Sequence, residues 1–408
     1  MPERGVEGGD PRLAAMMWPM YDVVVAGGGP AGLCAAIAAA REGMRVAVLE
    51  REAGFGIPTR TSGGTFVADM RALGVPESLW NPVQRVRFVG PSAASCVEIP
   101  GVVGVLDVRG LYQWLAARAA DEGAELHLRS TVTSVAVSDD GVALTVRSHG
   151  GEWRAVGRYA VDATGNACVL SKAGGRPGFV RRGVGAELDL AAPGVPADTC
   201  WLVMGNAVAP SGYGWVFPYG GGRVRVGVGV LKPEVDVDPR NYLSRLMALP
   251  ELRDVLDGAQ PVEMHAGLFP AERMRPSRVG PRVVAVGDAA AQGSALVGEG
   301  IRFVMRAGTG AGRAAAEAVR RGEESPLVAF DQAWRGRFGR DFGIAYRVSL
   351  ALGRFDDASW DRAVRAVGAV PPWFVGEALS TRFRARSLAR VAVRHPGVVR
   401  KLLRAARG

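Results

Sequence analysis

The sequence is poor in the residues that build metal and disulfide frameworks. Its four cysteines (Cys34, Cys96, Cys168 and Cys200) lie far apart without C-x-x-C spacing, which disfavours both a disulfide scaffold and a zinc site. Its four histidines (His127, His149, His265 and His395) lack ligand spacing and read as structural or solvated, so no metal is expected. No uninterrupted apolar run reaches bilayer-spanning length. Residues 1–20 carry acids and glycines where a secretory signal has an apolar core. That stretch is expected to be a disordered extension, with Met16, Met17 or Met20 as alternative starts, and a cytoplasmic location is expected.

Acid is missing from the other end. Arg382, Arg384, Arg386, Arg390, Arg394, Arg400, Lys401, Arg404 and Arg407 fall after Ser380 with no Asp or Glu among them, so the tail carries nearly all of the net charge of +10. Leu388, Val391, Val398, Leu402 and Leu403 give it an apolar component, and Pro396 divides it. Two readings stay open: a basic amphipathic end lying on an anionic membrane surface, each cation adding about 1 kcal/mol, or a solvated terminal helix. Nucleic acid is disfavoured, because no recognition motif accompanies the charge.

What is present is a globular chain, 408 residues long and 48% hydrophobic, enough for two or three domains. Residues 21–50 organise it. Tyr21 to Ala26 is a short apolar run ending in glycines, which predicts a buried parallel strand. An Ala-rich helix follows, with Gly43 as its C-cap, then a second buried strand ending at Leu49. Gly27, Gly29 and Gly32 form G-x-G-x-x-G: a tight turn, a close backbone approach for a pyrophosphate, and close helix–strand packing. The helix N-terminus offers its dipole and free N–H groups to phosphate. Glu50 closes the second strand, where a carboxylate can accept from a ribose. Together these predict a dinucleotide site.

Further along, Arg60 lies in a Gly/Pro/Thr loop and is read either as a pyrophosphate ligand or as a surface arginine. Residues 65–104 look mixed. Asp107 is a good N-cap for a helix carrying Leu111, Trp114, Leu115 and Ala119 on one face. Arg109 in its first turn suggests a phosphate or adenine partner. Residues 125–128 should return to the parallel sheet, and residues 131–137, 142–147 and 152–156 read as an antiparallel meander. Residues 159–163 read as another buried strand, running into Gly165. Short alternating stretches between residues 175 and 269 predict an antiparallel second domain with a helical insertion near 240–256. Residues 281–290 return to the first domain, and a helix from Glu299 to Arg321 follows. The fold expected is α/β: a discontinuous Rossmann-like domain (21–174 and 281–330), an antiparallel-sheet substrate domain (175–280) and a helical, basic C-terminal region (331–408).

Three segments carry a resemblance. The Gly27–Gly32 turn with Glu50, the run Val161-Asp162-Ala163-Thr164-Gly165, and Gly287-Asp288 followed by Gly298-Glu299-Gly300-Ile301 resemble FAD-binding proteins of the p-hydroxybenzoate hydroxylase superfamily. Within it, Tyr213-Gly214-Trp215-Val216-Phe217-Pro218 is similar to the Y-x-W-x-F-P motif of the geranylgeranyl reductases, as Gly298 to Ile301 is to their G-E-G-I. The resemblance implies FAD, held by Gly27, Gly29, Ala31, Gly32, Glu50, Arg51, Arg60, Arg109, Gly165, Gly287, Asp288, Gly298, Gly300 and Ile301. It implies an isoprenoid or other apolar substrate lined by Tyr213, Trp215 and Phe217, and electrons from NAD(P)H or a separate redox protein. Tyr213 and Trp215 would stabilise cationic character on the substrate, and Glu299 is either a proton donor or an acid favoured by the helix dipole. One departure stands out: related reductases often carry P-x-R-C where this chain has Pro58-Thr59-Arg60-Thr61.

Other flavin chemistries are weighed against this. Halogenases of this fold use a lysine, and the first lysine here is Lys172. The hydroxylase branch usually has Asp-Gly where this chain has Ala163-Thr164-Gly165. A non-redox polyene cyclase and a non-enzymatic carrier are the remaining alternatives.

Overall fold

A computed structural model describes residues 20–394; the first nineteen residues and residues 395–408, with Arg400, Lys401, Arg404 and Arg407 of the basic tail, lie outside it. Among the described residues the chain builds two large sheets and one small one. The first sheet runs 278–280, 283–285, 151–162, 20–26, 46–49 and 125–127. Its central strands pair in parallel, with Val23 beside both Val46 and Tyr159, and Ala160 beside Val283. Helices cover one face and the meander strands the other, so Val23, Val24 and Val25 are all fully buried. Each such side chain contributes about 1.5–3 kcal/mol through burial.

Two glycines set the depth of that packing. Helix Ile301–Arg321 lies across helix Pro30–Arg41 so closely that a Cβ on Gly308 would stand 2.0 Å from the Ala31 carbonyl oxygen. At Gly312 it would stand 2.2 Å from that of Ala35. Asp107 caps helix Val108–Asp121 as its position suggests, accepting from the Gly110 N–H at 3.1 Å.

The meander and the fourth parallel strand prove to be one element. Strand Gly151–Asp162 pairs antiparallel with Val142–Ser148 along its first half and parallel with Met20–Ala26 along its second. The sequence divides it at Gly157, yet Gly157 lies in extended pairing between Val142 and Tyr21. A glycine there admits the close approach of the Val24 side chain, 3.1 Å from where a Cβ would be.

The second sheet has the order 260–270, 182–191, 223–232, 212–220, 199–203, 85–89 and 94–98. Its last two strands, Arg85–Val89 and Ala94–Glu98, come from the stretch read as mixed and assigned to the first domain. Arg85–Val89 joins by parallel pairing with Thr199–Val203, a long-range match that local alternation cannot reveal. Strand Arg223–Lys232 explains how this sheet is used. Val224, Val226, Val228 and Val230 point one way and pack under Leu243, Leu246 and Leu252 of the helical insertion. Arg223, Arg225, Gly227 and Gly229 point the other way, towards the first domain.

Candidate active site

A cavity of ≈ 890 Å³ runs between the two sheets. At one end lies the glycine turn. Gly27 takes φ +106, and a Cβ there would meet the Ala163 carbonyl oxygen at 2.2 Å; one on Gly32 would meet the Gly27 carbonyl oxygen at 2.0 Å. Gly29 differs: a Cβ on it would meet nothing within 4 Å, so open space stands over the N-cap of helix Pro30–Arg41. The Glu50 carboxylate is held in place by the Gly28 N–H at 2.7 Å and the Glu52 N–H at 2.9 Å. Asp162 accepts from the Thr164 hydroxyl at 2.6 Å and the Ser171 hydroxyl at 2.7 Å, which fixes the turn leading to Gly165.

Asp288 lines the same end, and the protein around it pushes its carboxyl up to about 7. Beside it, Asn166 donates to the Leu268 carbonyl at 2.8 Å and leaves its own buried side-chain oxygen without a partner among the described residues. The loop of Gly298 and Gly300 closes over the middle, joined to the second sheet by the Tyr213 hydroxyl, which donates to the Val297 carbonyl at 2.5 Å. Burial raises the Tyr213 phenol above its ordinary range, so it stays protonated.

Of the residues singled out from sequence, Gly27, Gly29, Ala31, Glu50, Arg51, Arg60, Gly165, Gly287, Asp288, Gly298, Gly300, Ile301, Tyr213 and Trp215 line this cavity. Gly32 supports it from the packed side of the turn. Three others point elsewhere. Arg109 does not reach the lining; its guanidinium is drawn to Glu263 at 2.6 Å. Phe217 packs over Gly64, among the apolar side chains around Val83 and Val105. Glu299 is 9% exposed and accepts from Arg302 at 2.8 Å, inside an ion-pair cluster that also takes in Asp69. Arg60 and Arg51 both lean on Glu52.

The second sheet contributes residues that sequence reasoning passed over. Glu187 sits opposite Gly227, which sits opposite Trp215, and His265 stands on the other side of Glu187. Gly227 leaves room for the indole to lie flat along the row: a Cβ there would be 2.3 Å from Trp215 Cζ2. Trp215 thus reaches across a strand and donates from Nε1 to Glu187 Oε2 at 3.0 Å. Burial pushes the Glu187 carboxyl up to about 7. The far end is apolar, with Leu352 and Trp360 from the C-terminal helical region. An acid at an inward position of an alternating strand (Glu187) and facing glycines (Gly227, Gly229) were the available signals.

The sequence profile of FAD dependent oxidoreductases matches residues 22–187, and that of the geranylgeranyl reductase catalytic domain matches residues 187–268. A digeranylgeranylglycerophospholipid reductase of Methanopyrus kandleri is 31% identical over 81% of this chain and 86% of its own length. The chain belongs to the geranylgeranyl reductase family of FAD-dependent oxidoreductases. Another digeranylgeranylglycerophospholipid reductase, from Methanothermobacter thermautotrophicus, is also 31% identical, over 85% of this chain and 91% of that one. In fold, a geranylgeranyl bacteriochlorophyll reductase-like protein of Thermoplasma acidophilum superposes with a TM-score of 0.82 at 24% identity, covering 95% of this chain and 99% of the other.

The residues of the cavity fit the family's cofactor. The space over Gly29, the anchored Glu50 carboxylate and the unpartnered Asn166 oxygen beside Asp288 match a pyrophosphate, a ribose and a ribityl chain in turn. Among the described residues no three His, Cys, Asp or Glu side chains converge as a metal site, and no helix is long and apolar enough to cross a membrane.

Proposed function

We propose that this FAD-dependent oxidoreductase saturates C=C bonds in an isoprenoid chain of geranylgeranyl type. The observation that carries the reading is the continuity of the cavity, from the glycine turn and Asp288 past Tyr213 and Trp215 to an apolar end at Leu352 and Trp360. The reductase activity for which the Methanopyrus kandleri and Methanothermobacter thermautotrophicus relatives are named supports it.

When bound and reduced, FAD supplies a hydride. The chain's own residues supply the rest. Gly27, Gly29 and the helix N-terminus hold the pyrophosphate, Glu50 the ribose, and Asp288 the ribityl chain. Tyr213 and Trp215, their ring centroids 5.9 Å apart and inclined at 61°, turn π faces towards substrate. An isolated alkene has no electron sink for a hydride alone, so proton addition is coupled to it and leaves cationic character on the more substituted carbon, which such faces stabilise. Leu352 and Trp360 exclude water that would capture that carbon. Burying an isoprenoid there contributes about 0.8 kcal/mol per CH₂. Electrons reach the site from an external donor, a nicotinamide cofactor or a redox protein, since the sequence carries one dinucleotide fingerprint. The basic end of the chain holds the enzyme against an anionic membrane in which such substrates reside.

The reading is tested by incubating reduced enzyme with prenyl diphosphates, prenyl lipids and polyprenyl quinones and weighing the products. It expects a gain of two hydrogens per double bond in at least one class. Oxygen incorporation, or no change in any class, contradicts it.

A further inference from the structure

Alkene saturation needs a proton as well as a hydride, and the cavity offers few groups able to give one. Glu50 is committed as an acceptor to two backbone N–H groups. Glu299 is tied to Arg302 and does not line the cavity. Thr61, where related reductases often have cysteine, carries an alcohol with no useful acidity. The Tyr213 hydroxyl already donates to Val297. Asp288 belongs to the cofactor end.

Glu187 is placed differently. It is 4% exposed, lines the cavity on the substrate-facing side of the second sheet, and is tethered to Trp215 through Oε2. Its Oε1 has no hydrogen-bond partner among the described residues. Every charged or titratable neighbour leaves it unpaired. Arg225 gives Nη1 to the Ser62 and Leu106 carbonyls, lies over the face of Tyr219 and sets its Nε 4.0 Å from Asp189. Asp189 takes Arg223 and the Tyr219 hydroxyl, and its negative charge disfavours a second carboxylate nearby. His265, opposite Glu187 in register, is 5% exposed and held below its ordinary pKa by burial, so it is neutral at pH 7, although Glu263 beside it pulls the other way. Arg225 and the Trp215 N–H also favour ionisation of Glu187, and burial outweighs both.

We propose, resting on the reductase reading above, that Glu187 is the catalytic acid that protonates the substrate's double bond, with Trp215 aiming its carboxyl into the cavity. The alkene gains two electrons and two hydrogens. One C–H bond forms with the hydride and its electron pair, supplied by reduced FAD, which is oxidised by two electrons. The other forms when the π pair takes the Glu187 proton as its O–H bond breaks. Glu187 is left as a carboxylate and regains a proton from water when product leaves. An acid with its proton in place near neutrality and a low-dielectric surround is suited to this task.

Two measurements test the proposal. In the oxidised holoenzyme, the protonated-carboxyl infrared absorption that titrates near pH 7 should lose its Glu187 component in Glu187→Gln and keep that of Asp288. Glutamine keeps an acceptor for the Trp215 N–H, so the variant should fold and hold FAD normally, and its flavin should be reduced chemically at the wild-type rate. Its kcat on prenyl substrate should fall by about 10²–10⁴-fold, Glu187→Asp should recover part of that, and the decline of wild-type kcat above neutral pH should vanish. Glu187→Gln turning over within twofold of wild type, or carrying the same carboxyl absorption near neutrality as wild type, overturns the proposal while leaving the reductase reading intact. A wild-type enzyme that reduces no prenyl substrate sinks the reading of function instead, and the proposal with it.

Discussion

The parallel sheet is buried on both faces and meets the cavity at its strand ends, through the turns of Gly27, Gly29 and Gly165 with the Glu50 and Asp288 carboxyls beside them. The antiparallel sheet packs one face beneath Leu243 and Leu246 and turns the other to the cavity, lending it the side chains of Tyr213, Trp215, Glu187 and His265. On the first side a local turn does the binding, and it works wherever strand, turn and helix occur in that order. On the second side no segment is sufficient, because Trp215 meets Glu187 only when three strands hold register across Gly227. Cofactor binding and substrate chemistry should therefore be separable by mutation.

The sharpest way to break that division is a pair of glycine substitutions. Gly32→Val forces a side chain into space 2.0 Å from the Gly27 carbonyl. It should abolish FAD binding and destabilise the fold by roughly 3 kcal/mol or more, read from absorbance of the purified protein and from urea unfolding. Gly227→Leu inserts atoms where the indole of Trp215 lies. It should lower turnover on prenyl substrate by about 10²-fold, in the range assigned to a lost catalytic group, with FAD content near wild type. If Gly227→Leu loses FAD as completely as Gly32→Val, the two sides are not independent.

A gentler test uses pH. The folded carboxyls of Glu187 and Asp288 have pKa values near 7, above the usual carboxylate range. Between those limits the folded state holds more protons than the unfolded one, so stability should fall as pH rises from about 4.5 towards 7. Glu187→Gln should flatten part of that slope in urea titrations, and an unchanged slope would remove Glu187 from the account of pH dependence. A last test concerns the tail, away from the chemistry. Changing Arg400, Lys401 and Arg404 to Glu should weaken co-sedimentation with anionic vesicles, with about 1 kcal/mol lost per cation removed, and leave turnover of detergent-dispersed substrate unchanged.

The same contrast explains what the sequence made legible. The glycine turn, Glu50 and the Asp107 cap obey spacings of a few residues, and each is where its spacing puts it. The two strands at 85–98 were missed because their partner lies about a hundred residues on. Arg109 reads as a phosphate ligand from its first-turn position, and only the tertiary fold brings Glu263 to it. Phe217 shares a motif and a sheet face with Trp215. One step of period two carries it beyond the cavity and over Gly64. Glu187 was overlooked because its meaning depends on a glycine on one strand and an indole on another.

The central claim is that a flavin on the parallel sheet delivers its electrons to an alkene held against the antiparallel one. It is tested most directly by reducing the holoenzyme's flavin without oxygen and adding prenyl substrate. The account predicts that the yellow colour returns in step with saturated product. A flavin that stays bleached until air is admitted would contradict it.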